Sequence, residues 1–540
     1  MLTGARRFIV SSMRNAEGAS EEVACDGIYL CKLLLCLFGA CSFIKENTCI
    51  ILVQKKHMTS MTSKEPTIAV ADGPSGSWGA LLGRAHGLTA LALTGAVAMH
   101  AINVHIVTTV LPSVVQEIGG LQWYAWSTTL FVVGSIIGAA LSVKLMACST
   151  ARGAMVGALL VFALGTLVCA TAASMPAMLL GRTVQGLGGG VVGALSYTLI
   201  RMVFPPHLWP RAIALVSGMW GIATLSGPAV GGLFAQSGHW RWAFWALLPL
   251  LAAQMLLVFR QLNPERMLQP VSVTGSGIAT RQIAFLALSV LLIATASVVT
   301  GSALQWLSVL AGLLVGGLAL STERQAAARL LPRGGTSIGH PLGMLYAVVA
   351  LLLMGTMTEI FVPYFLQHLH GLQPLTAGYV TALLAGGWSL ASVFFSGKSG
   401  ATVRRLMVAG PAIGATGLVV LAMAIPSQGT WALSICAVAL AAIGLGVGMA
   451  WPHVLNAIMH SADKDDADVA ASAITTVQLY GMAVGAALVG LVANATGVST
   501  QTEPGALGNG AMWIFGLFAL FPAMGVFYMW RFLKASHRSV

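Results

Sequence analysis

GRTVQGLGGG, Gly181–Gly190, decides how this chain is read. It stands inside a long apolar run, ALGTLVCATAASMPAMLLGRTVQGLGGGVVGALSYTLI, and places an arginine and a glutamine where water is scarce. A charged side chain at membrane depth costs about 2.5–3.5 kcal/mol on insertion scales, so such residues face a bundle interior or an aqueous cavity. Gly186 and Gly190 follow on one face, a small-xxx-small pattern that lets helices approach closely. One side of this segment should pack tightly while another presents Arg182 and Gln185.

Composition agrees. The chain has 540 residues, of which 57% are hydrophobic and only 8% charged, too few to cover a soluble surface. Mean hydropathy is +0.84. These values describe a polytopic membrane protein. The net charge of +12 excludes little by itself, because the basic residues fall in short loops between apolar segments, as membrane topology requires, and not in a nucleic-acid patch. Of the eight cysteines, five (Cys25, Cys31, Cys36, Cys41 and Cys49) crowd the first 50 residues. With no CxxC pair and no Cys/His ligand spacing, the sequence predicts neither a metal site nor a cofactor.

Residues 1–80 differ from the rest and read as a disordered cytoplasmic tail. The apolar run Leu33–Ile44 is shorter than the roughly 20 residues needed to span. Met58 and Met61 open an ordinary polar N-terminal stretch, which marks either as the expected start of translation. Helix-length apolar segments then succeed one another at 88–112, 122–147, 153–173, 177–203, 211–236, 241–260, 281–299, 303–321, 341–366, 373–396, 405–424, 430–453, 468–494 and 510–533. Helices satisfy their own backbone in lipid, and these runs are far too long for barrel strands. The expected fold is all-α, with fourteen transmembrane helices.

Lysines and arginines set the expected orientation. With the N-terminus inside, the inside loops hold Lys144, Arg152, Arg201, Arg211, Arg260, Arg266, Arg281, Arg324, Arg329, Arg333, Lys398, Arg404, Arg405, Arg531, Lys534 and Arg538; the outside loops hold Arg241. Both termini are then cytoplasmic, in a plasma membrane expected to be a bacterial inner membrane. The acidic inside loop Ser461–Ala470 weighs little in this rule. Polar loops at 261–281 and 321–340 divide the spans six, two and six. A six-plus-six repeat is a known transporter plan. The expected units are bundles at 86–260 and 341–534, an inserted pair at 261–340, and a tail at 535–540.

Arg182–Gly188, RTVQGLG, resembles the RxxQGxG motif of the major facilitator superfamily. GIATLSGPAVGG, residues 221–232, is similar to the proline-glycine motif of that superfamily's drug:proton antiporters. WRWAFWALLP, residues 240–249, is similar to the next segment of the fourteen-helix antiporters. NVHIVTTVLPSVVQEIGG resembles the first-helix motif up to Pro112, and LQHLHGLQPLTAGY, residues 366–379, the start of the second half. The likeness covers about residues 88–534. It implies two six-helix bundles with two inserted helices and proton-coupled export of lipophilic or amphiphilic compounds. A proton-coupled exporter of one metabolite, peptide or siderophore is the alternative. Two positions depart from the pattern. Asn103 stands where the antiporters carry an aspartate nine residues before the proline, and Ala147 stands at the aspartate of the loop motif, although Leu145 and Arg152 match it.

Glu359, in LLLMGTMTEIFVPYFLQ, is the outstanding carboxylate within the spans and the first candidate for proton coupling. Burial favours the neutral form of a carboxylic acid, and alternating protonation suits coupling. His100 and His105 are the next candidates. Five residues apart, they point about 140° apart on a helix, so at most one faces a central cavity. Gln367 and Gln478 are polar in apolar surroundings and are candidates to line a cavity. The resemblance implies that Gly227, Pro228, Gly231 and Gly232 bend and seal their helix. Trp123, Tyr124 and Trp126 read as interface anchors, and His453 as interfacial. GKSGAT at Gly397 falls short of a phosphate loop, because Ser392 stands where a glycine is needed. With no HExxH or GxSxG, an enzyme is not expected. The expected partners are a small molecule, protons and lipid, with the chain a monomer.

Overall fold

The computed structural model describes residues 78–262, 279–326, 328–463, 466–500 and 505–536. The apolar run at Leu33–Ile44 and the start residues Met58 and Met61 lie outside them. The tail reading of 1–80 overshoots slightly, since Trp78–Leu82 is a short helix.

Fourteen helices come next among the described residues: α1 Gly87–Ile118, α2 Trp126–Cys148, α3 Ala151–Ala170, α4 Met175–Val203, α5 Trp209–Gln236, α6 Arg241–Gln261, α7 Thr280–Thr295, α8 Ser302–Gln325, α9 Pro341–His370, α10 Pro374–Phe395, α11 Ala401–Ala424, α12 Ala432–Ser461, α13 Ala467–Ala495 and α14 Ala506–Ala535. Thirteen are long and apolar enough to cross a membrane. The exception is α7. Its 16 residues, at 1.5 Å each, make a helix of about 24 Å, short of a hydrocarbon core. The expected span ran to 299, but residues 296–299 turn out of the helix.

Local signals account for several boundaries. Thr150 caps α3, its Oγ1 accepting the Gly153 N–H at 3.0 Å. Proline opens α4, α5, α9 and α10, where its missing N–H costs nothing. Gly371 ends α9 at φ 65, a left-handed turn natural to glycine. Pro112, expected to close the first helix, lies inside α1, which continues to Ile118.

Helices α1–α6 and α9–α14 repeat one packing plan. In the first set α4 packs on α2 and α3, and α1 on α5; in the second α12 packs on α10 and α11, and α9 on α13. The two sets meet along α5–α10 and, symmetrically, α2–α13. The repeat reaches single residues. Side chains added at Gly186 and Gly190 would strike the carbonyls of Phe131 and Ser135 on α2, and one at Gly188 the backbone of α3. In α12, Gly444 and Gly448 face the carbonyls of Leu384 and Trp388 on α10, and Gly446 faces Gly410 on α11. The motif G-L-G-x-G therefore occurs twice, at 186–190 and 444–448, and does the same work twice.

The inserted helices are not symmetric. α7 packs on α13 and α2, and α8 chiefly on α7. Ser289 of α7 donates to the Gly312 carbonyl of α8 at 2.7 Å and lies 3.0 Å from the Tyr480 hydroxyl of α13. In the turn after α7, Ser297 takes the Trp126 indole N–H on its hydroxyl at 3.0 Å and the Asn494 amide on its carbonyl at 2.7 Å. That turn bridges both sets.

Candidate functional site

Arg182 is 2% exposed at the heart of the first helix set. Its Nη1 donates to Asn103 Oδ1 at 2.7 Å and Gln185 Oε1 at 2.8 Å, and its Nε to the Ser127 carbonyl at 3.4 Å. The guanidinium lies 4.0 Å from the Phe131 ring centroid, a cation–π contact. Gln185 passes the network on, donating to Thr166 Oγ1 at 2.9 Å. The sequence-predicted trio Arg182, Gln185 and Asn103 is thus one buried cluster spanning α1 and α4. Gly186 and Gly190 make the expected close approach, but on the same face as Arg182. Spaced four residues apart, the three meet Ser127, Phe131 and Ser135 of α2 in turn, which corrects the expectation that the guanidinium would lie on a different side from the packed glycines.

Glu359 sits elsewhere. It lies in a 3₁₀ turn, Met357–Phe361, that breaks α9. Pro363 explains the break. Lacking an N–H, it cannot donate to the carbonyl of Glu359 four residues back, and the Val362 N–H closes a tighter turn onto that carbonyl instead. Thr356 and Thr358 direct their hydroxyls to the carbonyls of Leu353 and Gly355, which helps hold the turn. The Glu359 carboxylate makes no hydrogen bond or ion pair with a described residue. It lines a cavity of about 10 Å³ together with His105, Thr108 and Thr109 of α1, Pro228 of α5, and Gly378 and Thr381 of α10. That is room for one water, not for a substrate. The three threonine hydroxyls are already bonded to carbonyls four residues back. The polar groups left to act are the Glu359 carboxylate and the His105 imidazole, whose Nε2 lies 3.5 Å from Thr224 Oγ1.

The two histidines diverge as their spacing requires. His105 reaches the seam between the helix sets. His100 stays inside the first set, stacked on Phe131 with ring centroids 5.3 Å apart and flanked by Phe162 and Trp220. Gln367 and Gln478 do not line the cavity at Glu359; both are half-buried, and Gln367 keeps its Nε2 buried without a protein partner. Arg152 donates from Nε to the Leu262 carbonyl at 2.9 Å and stacks over Phe259, so it holds α3 to the end of α6. A larger groove of about 750 Å³, between α11 and α12 and lined by Val420, Trp431 and Val438, is apolar and lies away from Glu359.

The α5 motif closes the seam. Side chains at Gly227 and Gly231 would strike His105 and Ile106 of α1. Gly232 faces Leu375 of α10, and a Cβ at Gly378 would lie 2.7 Å from Thr109 and 3.1 Å from Pro228. Other contacts between the sets cluster at the same end. Gln236 pairs with Gln373, Gln116 lies 3.5 Å from His368, and Asn494 donates to the Gln122 carbonyl at 2.9 Å.

Tyr124 and Trp126 belong to this closure, which corrects their reading as interface anchors. Tyr124 is fully buried against Phe361 and Tyr364 of α9, at centroid distances of 4.7 and 5.6 Å. Trp126 reaches Ser297, and Trp123 packs edge-on against Trp126. A position near a span end satisfies anchoring and helix-set contact equally well, so no signal in the sequence separated them. His453 is likewise internal. It is 7% exposed, with Nε2 3.1 Å from the Phe395 carbonyl. Sequence reasoning also passed over Thr109, Thr381 and Ser127; Pro363, four residues after Glu359, was the visible signal for the break.

Known proteins share this architecture. The family model for the Major Facilitator Superfamily matches residues 93–486. The chain belongs to the major facilitator superfamily. A Mycobacterium tuberculosis protein named "Probable multidrug-efflux transporter" is 36% identical over 481 residues, covering 86% of this chain and 97% of that relative. "Multidrug resistance protein 3" of Bacillus subtilis is 23% identical over 412 residues, covering 74% of this chain and 78% of that protein. Among solved structures, a D-xylose-proton symporter superposes with a TM-score of 0.57 at 15% identity, covering 82% of this chain and 97% of that one. A POT family transporter in complex with 5-aminolevulinic acid gives 0.60 at 12% identity, covering 83% and 96%. At such identities these two establish the superfamily fold. The protein is an integral, multi-pass member of a family of transporters.

Proposed function

We propose that this protein exports lipophilic or amphiphilic small molecules in exchange for protons, by alternating access, and that Glu359 carries the proton. The single observation behind this is the Glu359 carboxylate. It stands unpaired on a broken helix, in a cavity walled by both helix sets. Broken helices with binding groups between repeats are the general device of secondary transporters. A carboxylate there is reached from one side or the other as the sets rock, and its protonation competes with substrate. His105, across the same cavity, is positioned to relay the proton. Relatives named as a probable multidrug-efflux transporter and a multidrug resistance protein support a broad substrate class.

The moving units are residues 86–260 and 341–534, with 261–340 joining them. The basic loops face the cytoplasm, as do both termini, and the membrane is a bacterial inner membrane. The seam closed at Gly232, Gln236 and Tyr124 is then the outer gate. The protein works as a monomer.

The test uses inside-out vesicles energised to an acid interior, a panel of lipophilic cations and amphiphiles, and a pH-sensitive dye. Substrate-dependent collapse of the gradient, abolished in Glu359→Gln while the variant still folds and inserts, is the expected result. Full exchange by Glu359→Gln would move the carrier elsewhere, His105 first. No collapse with any compound would point to one narrow substrate or to coupling without protons.

A further inference from the structure

Arg182 keeps its charge among neutral groups. Its partners are the Asn103 and Gln185 side-chain oxygens, the Ser127 carbonyl and the Phe131 ring. None carries a negative charge, and Glu359 is not among them. Burying a cation without a counter-charge is costly, and neutral acceptors offset only part of that cost. The surrounding side chains supply a second observation. Asn103 and Ser127 are both 0% exposed, and each leaves a buried polar atom without a protein partner: Nδ2 of Asn103 and Oγ of Ser127. Asn103 spends its oxygen on Arg182, so what remains is an NH₂ group, a donor only. The Ser127 hydroxyl belongs to the residue whose carbonyl takes the Arg182 Nε–H. His100, one turn before Asn103, leaves Nδ1 similarly unpartnered.

Unspent donors around an uncompensated positive charge fit an anion. A cation is repelled, and a water satisfies the donors but leaves the charge. We propose that Arg182, Asn103 and Ser127 bind a small inorganic monovalent anion of the halide class, between α1, α2 and α4. The anion is an exchangeable counter-charge for Arg182. This site is independent of Glu359 and of what is exported, so its failure leaves the transport reading untouched.

The isosteric carboxylate provides the sharpest test. In Asn103→Asp, the side chain bonded to Arg182 becomes a fixed counter-charge, and the anion is no longer required. Thermal unfolding of the purified full-length protein is followed in detergent as chloride replaces gluconate at constant ionic strength. The wild type is expected to gain Tm in a saturable way. Asn103→Asp is expected to lose that dependence. Ser127→Ala removes one donor to a charged group and is expected to raise the half-saturating chloride about tenfold or more. A wild type with no saturable response overturns the proposal, as does a response undiminished in Asn103→Asp. If Asn103→Asp does not fold, Ser127→Ala decides, and an unchanged half-saturation point sinks the site.

Discussion

The two six-helix sets share a glycine scaffold and differ in what it holds. In α4 the scaffold of Gly186, Gly188 and Gly190 carries Arg182 and Gln185, and Gln185 reaches Thr166 on α3. In α12 the matching glycines are 444, 446 and 448, so Arg182 corresponds to Leu440 and Gln185 to Ile443. Gly165, packed on α4, corresponds to Gly417, packed on α12, which sets Leu418 opposite Thr166. Leu440, Ile443 and Leu418 are buried as completely as the residues they match. The packing problem is therefore solved without any polar group in the second set. The polar cluster of the first set is not demanded by helix contact, and it raises the cost of insertion. What it contributes must lie outside packing. The second set has its own departure, the broken helix at Glu359, where α1 runs unbroken. Charge is central in one set, and a carboxylate sits at the seam in the other.

The largest effect is expected from making the first set like the second. Arg182→Leu alone strands Asn103 Oδ1 and leaves Gln185 Oε1 only the Cys169 thiol at 3.6 Å, and each buried acceptor left unsatisfied should cost about 1–3 kcal/mol. A large fall in yield and Tm of the purified protein is expected. Replacing Arg182, Gln185 and Thr166 together with the residues their twins use (Arg182→Leu with Gln185→Ile and Thr166→Leu) should recover the share due to Gln185, because apolar replacements are often neutral, while Asn103 Oδ1 stays unpartnered. Transport should not recover with it. A triple variant that exports at the wild-type rate would show the cluster to be dispensable.

Next come the glycines, where the comparison predicts equality. Gly186→Val and Gly444→Val each drive a side chain into a neighbouring carbonyl, of Phe131 and Leu384. Each should cost about 1–3 kcal/mol or more by overpacking, and by similar amounts. Thermal melts of the pair settle it, and tolerance of one alone would show that the shared scaffold is only apparent. Gly189 sharpens the point, since its counterpart is Val447. A Cβ at Gly189 meets His100 Nδ1, and the ring is held between Phe131 and Phe162. Gly189→Ala should therefore destabilise by about 1 kcal/mol, at the low end for overpacking, and leave the second set unaffected.

The legible and illegible parts of the molecule divide along the same lines. The spans were readable because lipid leaves the backbone few options, and α7 failed only in length. Arg182 and Glu359 stood out because a polar residue in an apolar run is conspicuous, whereas Asn103 stood out only through the resemblance, as a departure from the antiporter pattern. That Asn103 is bonded to Arg182, 79 positions away, was invisible to spacing along one helix. The second G-L-G-x-G motif was present in the letters but lies in a wholly apolar stretch, where nothing drew attention to its glycines. Tyr124 and Trp126 were misread because a ring near a span end has two physical uses. His100 and His105 were separable in angle, yet only the neighbouring helices decide which angle faces the seam.

The inserted pair has no twin, and its contacts should carry the smallest effects. Ser289 has one hydroxyl hydrogen, committed to the Gly312 carbonyl, so in its contact with Tyr480 it accepts and the phenol donates. Hydrogen bonds between membrane helices average about 0.6 kcal/mol. Tyr480→Phe leaves Ser289 bonded to Gly312 and removes only the link from α7 to α13. Its Tm should therefore fall by little more than the error of the measurement. Ser289→Ala breaks both links and should cost about twice as much. If α7 and α8 merely pad the seam, both variants export at the wild-type rate. If Tyr480→Phe slows export at unchanged stability, the inserted pair holds α13 through its motion. The asymmetry of the molecule would then extend from what its two sets contain to how they are allowed to move.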